Sequence, residues 1–132
     1  MKNSIILSII FFSILVLGLS ACNEKHDHDN AATISISNPV ENTQYHNGDT
    51  VFIHAVITAE SAMHGWEVLI RKKSDLSVVF EQDAHEHAAT FNINTYWVNN
   101  LGSAHNDMEL LVTAEIDHDG NTETQTVNFH CH

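Results

Sequence analysis

Residues 85–87 read His-Glu-His, in a chain of 132 residues that carries 11 histidines and only five Lys plus Arg. On an extended backbone, residues i and i+2 point the same way, about 6.6 Å apart. His85 and His87 therefore offer two imidazoles to one ion, which zinc holds at nitrogen distances of roughly 2.0–2.1 Å. Two ligands do not make a tight site, so a third and fourth must come from elsewhere. His64, just before Gly65, and His118, inside Asp117-His118-Asp119-Gly120, are the candidates to complete a zinc or copper site. Asp83, Glu86, Asp117 and Asp119 lie close in sequence and can orient ring N–H groups or add oxygen ligands. The C-terminus reads His130-Cys131-His132. Parity puts the two imidazoles on one face and Cys131 on the other with Phe129. Cys131 is then either a small buried hydrophobe or, if the chain end curls, a soft ligand. In the second case His130, Cys131, His132 and His105 form a second site suited to Cu(I) or Zn(II). His26, His28, His46 and His54 read as solvated side chains.

Other chemistries find less support. Asp117-His118-Asp119-Gly120-Asn121 shares the opening of an EF-hand loop, but that loop runs about twelve residues to a closing Glu between two helices. Strand patterns flank it here. No Gly-x-Ser-x-Gly or similar nucleophile context occurs, and the chain reads as non-enzymatic. Copper–zinc superoxide dismutases are β-sandwiches with an His-x-His strand. Their disulfide, glycine-rich loops and arginine region have no counterpart in this sequence.

The elements that must position these residues alternate with period two between turn residues. Ile34 and Ile36 share one face of 33–37. A Gly-containing turn at 47–49 leads into a strand with Val51, Ile53, Ala55 and Ile57 inward. His64, Trp66, Val68 and Ile70 share a face of 64–71. A polar Lys-Lys-Ser-Asp turn precedes a strand over 76–82, and another follows at 89–94. Met108, Leu110, Val112, Ala114 and Ile116 line up on the next. After a hairpin turn at 117–121, Val127, Phe129 and Cys131 line up on the last. The pattern predicts an all-β, seven-stranded sandwich of two sheets. Through the turn before Val51, Trp66 on the third strand and the last hairpin, residues 33–132 resemble immunoglobulin-like and fibronectin type III-like modules of bacterial envelope proteins. That resemblance implies a fold and is nearly silent on function. An up-and-down path through seven strands sends His64, His85, His87 and His118 to one end. It sends His46, His105, His130 and His132, with Cys131, to the other.

The chain opens with Lys2 and an apolar stretch from Ile5 to Leu17. This is signal-peptide length, short of the roughly 20 residues of a spanning helix. Leu19-Ser20-Ala21-Cys22 follows and resembles a bacterial lipobox. The resemblance implies cleavage behind Ala21 and lipidation of Cys22, giving a signal peptide over 1–21, a lipidated cysteine with a polar tether over 22–32, and a domain over 33–132. Each buried acyl methylene contributes about 0.8 kcal/mol, so such a lipid holds a protein on a membrane without a spanning helix. Asn23 in place of Asp implies the outer membrane, and the His-rich composition is similar to small lipoproteins of Bacteroidota. Loss of Lys2 with the signal leaves four basic residues against 17 carboxylates, a formal charge of −13. That disfavours nucleic acid, whose binding rests on Lys and Arg, and favours cations. Two functions follow as expectations: an envelope lipoprotein that buffers, senses or hands over zinc or copper, and a non-enzymatic interaction module of an envelope complex.

Overall fold

The structure, a computed structural model, describes residues 30–132. The signal peptide, Cys22 and the tether up to residue 29, with His26 and His28, lie outside the described residues. Among those described there are six strands and no helix: β1 (Ala32–Asn38), β2 (Gln44–Tyr45), β3 (Thr50–Lys72), β4 (Val78–Val98), β5 (Asn106–Glu115) and β6 (Thr122–Cys131). They form one sheet, in the order β1-β3-β5-β6-β2 with β4 beside β3, curved into an open half-barrel.

This all-β architecture corrects the expected strand count and the expected pair of sheets. The stretches 51–57 and 64–71 are not two strands joined by a turn. They are halves of β3, 23 residues long, and β4 likewise fuses 76–82 with 89–94 and runs on to Val98. The reason is hydrogen bonding. The first half of β3 pairs with β1 and with the second half of β4, while its second half pairs with β5 and with the first half of β4. Each half thus has partners of its own, and the strand need not end where the sheet bends.

The bend is built from register shifts. Thr58 faces Thr90, Met63 faces Ala88, and Gly65 faces His85. Extra residues at Ala59–Ala62 loosen β3, and Glu86-His87 opposite the single His64 makes a bulge in β4. Such bulges bend a strand and re-aim its side chains. The Asn30 side chain takes the place of a missing strand partner: its Oδ1 accepts from Ser61 N at 3.1 Å, and its Nδ2 donates to Ser61 O at 3.4 Å.

The shifts also change which side chains face inward. Val51, Ile53, Ala55, Ile57 and Met63 are buried on odd positions of β3, and Val68 and Ile70 on even ones. Trp66 packs partly buried against that core. The other half comes from β5 and β6, whose Met108, Leu110, Val112, Ala114, Val127, Phe129 and Cys131 are all inward as alternation requires. The chain end is tied down. His132 N donates to Tyr45 O at 3.0 Å, and Asn47 N donates to His132 O at 2.7 Å. The turn before β3 uses Gly48 at φ +95°, where a side chain would be strained.

Candidate metal centres

The bend carries the first cluster. His64 sits at the β3 shift and is half-buried, while His85 and His87 stand exposed on the facing bulge of β4. One ring nitrogen from each lies within 4.8 Å of the other two. A tetrahedral ion with bonds of roughly 2.0–2.1 Å holds neighbouring ligand atoms about 3.3 Å apart, so the nitrogens would draw together by at most about 1.5 Å to hold one ion. The ring centres of His64 and His87 are 4.5 Å apart, and those of His85 and His87 are 5.4 Å apart.

His118 joins from the β5–β6 hairpin. Its ring centre is 3.5 Å from that of His64 and 6.2 Å from that of His87. It is a neighbour of the converging trio, in edge contact with His64. Asp117 shapes this hairpin. Its carboxylate accepts from Asp119 N at 2.8 Å, Asn121 N at 3.2 Å and Asn121 Nδ2 at 2.6 Å. Those bonds, chiefly the one from the Asn121 side chain, hold its pKa below the usual carboxylate value. Asp117 therefore stays ionised beside His64 and His118, lining a cleft with them, His85, Glu115 and Asn121.

Gly65 lets the two bent strands meet. A Cβ there would collide with the backbone oxygen of Ala84 and lie 3.3 Å from the Cα of His85. The His-Gly pair therefore couples a ligand to the close approach that brings its partners within reach. Partial burial pushes the His64 pKa below its ordinary value, with further lowering from the charges His118, His87 and His85 acquire. The neutral imidazole, the form that binds metal, is thereby favoured.

The second cluster lies at the opposite pole, on the outer face of β5 and β6. Asp107 stands directly across from His130. His130 Nδ1 is 2.8 Å, and His105 Nε2 3.0 Å, from the same oxygen, Asp107 Oδ1. The His105 ring stacks near those of His130 and His132, with centres 5.5 Å and 5.8 Å away. His46 meets His132 edge-on at 5.1 Å. The four histidines expected at this end are thus together.

Cys131 is the correction here. It is fully buried in the core, and burial pushes its pKa up to about 11. The last strand stays regular to its end because β2 pairs with it. The chain therefore does not curl, and parity keeps the sulfur on the face away from His130 and His132. Asp107 stands in that place, as an oxygen donor that sequence reading missed. The signal was present as His105-x-Asp107, an i, i+2 pair like His85-x-His87. Its relation to His130 depends on the β5–β6 register. His54 lies elsewhere, on the outer face of β3. Asp83 and Glu86 have no side-chain hydrogen bond among the described residues.

No family model matches the chain, and no curated protein does. A solved structure of fibronectin(III)-like modules of Clostridium thermocellum CbhA is similar at 11% identity, with a TM-score of 0.45. The match covers 76% of this chain and 46% of that one.

Proposed function

We propose that this chain is a lipid-anchored envelope protein that binds zinc or copper through His64, His85 and His87, with His118 as the fourth neighbour, and that it buffers the ion or hands it on. The observation that carries the reading is the convergence of three imidazole nitrogens within 4.8 Å of one another at the sheet bend. Three neutral nitrogen donors suit zinc and copper and leave a position open. An open position is what exchange with a partner requires. Lipidation of Cys22 in the outer membrane would keep the site at the envelope surface or in the periplasm.

A second reading has its own support. Among the described residues β4 pairs only with β3, so one edge of a 21-residue strand is open. Phe52, Val56, Tyr96 and Val98 are exposed together on the outer face beside it, at fractions of 41–60%. Open edges and apolar patches are where another chain docks. This favours an interaction module of an envelope complex, and the two readings are compatible in one molecule.

Metal analysis separates them. The full chain, purified in detergent without a tag or a metal column, should bind zinc or copper at the bend and lose that ion when His64 is replaced by Ala. A chain that binds neither ion in calorimetric titration at neutral pH would leave the interaction module as the reading that stands.

A further inference from the structure

The lower pole carries more than a hydrogen-bonded pair. His105 and Asp107 are two apart on one line of the sheet, and His130 and His132 are two apart on the next. Because Asp107 faces His130 and Asn106 faces Cys131, His105 falls across from His132. These residues make a two-by-two patch whose members all face away from the core, which Met108, Phe129 and Cys131 fill from the other side. Cross-strand neighbours on one face have Cβ atoms about 4.5–5.5 Å apart, so the ring and carboxylate tips are in reach of one centre.

We infer that His105, Asp107 and His130 form a second divalent-metal site, chemically distinct from the first, with His132 as the neighbour able to supply a fourth ligand. One ligand atom from each of the three lies within 4.8 Å of the others. The separations from Asp107 Oδ1 to His130 Nδ1 and His105 Nε2, 2.8 Å and 3.0 Å, are close to the roughly 3.3 Å between neighbouring ligands around a tetrahedral zinc. The donors are already nearly where an ion would hold them. A shared hydrogen between each ring and the carboxylate now occupies the place of the cation. When the ion enters, the hydrogen on each nitrogen facing Asp107 must leave it, by moving through solvent to the far nitrogen of a neutral ring or by release to water from a charged one, and the already ionised Asp107 turns from hydrogen-bond acceptor to oxygen ligand.

Two features hold the patch open to a cation. The nearby ammonium of Lys73 is committed to Asn128 Oδ1 at 2.8 Å. His132 is held through its backbone by Tyr45 and Asn47. A donor set of two imidazoles and a carboxylate suits zinc and harder divalent ions, whereas a thiolate would have selected soft ones. The site shares no residue with the one at the bend.

Zinc titration of the full chain in detergent tests this, with His85→Ala and His87→Ala made together to remove the upper site. The expected result is that the double variant still takes up about one zinc. Adding Asp107→Asn and His130→Ala should weaken that binding at least tenfold. His105→Ala alone, at a residue outside the strand ladder, should weaken it in the same direction without touching strand pairing. Circular dichroism of the metal-free variants checks that the sheet persists. If the upper-site variant binds no zinc while the unaltered chain binds it, the second site does not exist and the first reading stands. If the upper-site variant binds zinc and neither lower-site change weakens it, the second site is equally overturned. If the lower-site changes alone abolish all binding, the second site stands and the reading of the bend fails.

Discussion

The two poles hold histidines in opposite electrostatic company. At the bend, His64, His85 and His87 face one another, and the ionised Asp117 stands by without a hydrogen bond to any of them. At the other end, His105 and His130 share one oxygen of Asp107. Protons therefore act on the poles differently. At the bend, partial burial first, and then the charges of His118, His87 and His85, favour the neutral form of His64. The lower pair donates into a carboxylate, and hydrogen bonds from His130 first and then His105 hold Asp107 below the usual carboxylate range. Spacing within one strand is similar at the two poles, His-x-His above and His-x-Asp below. The contrast comes from what the neighbouring strand brings.

Cys131 gives the largest test of that contrast. It sits one residue from both His130 and His132, yet its thiol belongs to the core. With a pKa pushed up to about 11, its thiolate fraction at neutral pH is roughly two orders of magnitude below that of an ordinary cysteine near 8.5. Labelling by a thiol reagent, in a chain with Cys22→Ser, should be slowed at least that much in the folded state and released by denaturant. The slow rate should already hold without zinc. Zinc-dependent protection of a readily labelled Cys131 would put sulfur into the lower site and erase the distinction.

Next in size is Gly65→Ala. The added methyl meets the backbone oxygen of Ala84, not a flexible tip, so β4 must move. Overpacking of this kind costs about 1–3 kcal/mol, to be read from denaturant unfolding. The displaced segment carries His85, so zinc affinity at the bend should fall with stability while binding at the lower pole holds. An alanine variant as stable as the parent, with upper-site affinity intact, would show that the close approach does not position the ligands.

His85→Ala with His87→Ala should lower zinc or copper affinity at the bend at least tenfold. Titration with competing chelators measures it. Unchanged affinity would remove imidazole ligation from the upper pole.

What the sequence disclosed is instructive about why. Alternation named the inward residues of β5 and β6 because those strands pair regularly along their whole length. Alternation also named both halves of β3, but not that they are one strand. Ala59-Glu60-Ser61-Ala62 is small and polar, and so reads as a turn. Its identity as a bend depends on a distant side chain, Asn30, and on strand partners 20 or more residues away. The grouping of histidines by pole survived that error. The β3–β4 hairpin is antiparallel about its turn, so the middle of one strand must meet the middle of the other whether or not the chain reverses there. Asp107 was hidden for a related reason. The local His105-x-Asp107 spacing supplies only two ligands, and the third is set by register, which puts His130 across from Asp107. Met63 was missed because a register shift, which has no sequence period, turns it inward.

The smallest effects come from protons and are the most discriminating between the poles. The lowered pKa of His64 means that the unfolded chain takes up that proton first as pH falls past the ordinary value near 6.5. The contribution of a neutral His64 to stability is thus fully present above that value. It is lost as pH falls from there through the lowered folded-state value. Asp107 behaves at a different pH. Its contribution is full above the ordinary carboxylate value near 3.9 and is lost only as pH falls through its depressed folded-state value. Between pH 7.5 and 5, metal-free melts should therefore decline slightly through His64 and not through Asp107, and His64→Gln should flatten that decline. Zinc amplifies the difference, because its imidazole ligands must be neutral. The rise in melting temperature that zinc gives at pH 7.5 should vanish at pH 5 in a chain whose lower site is removed, over a range steeper than one proton per ion. With the lower site alone, the anionic oxygen of Asp107 remains available at pH 5, and a residual zinc effect should persist further into acid. Melts of the two half-site variants at both pH values, with and without zinc, measure this directly. Identical loss of the zinc effect in the two variants would mean that the carboxylate contributes nothing to the lower site and that the poles differ only in position.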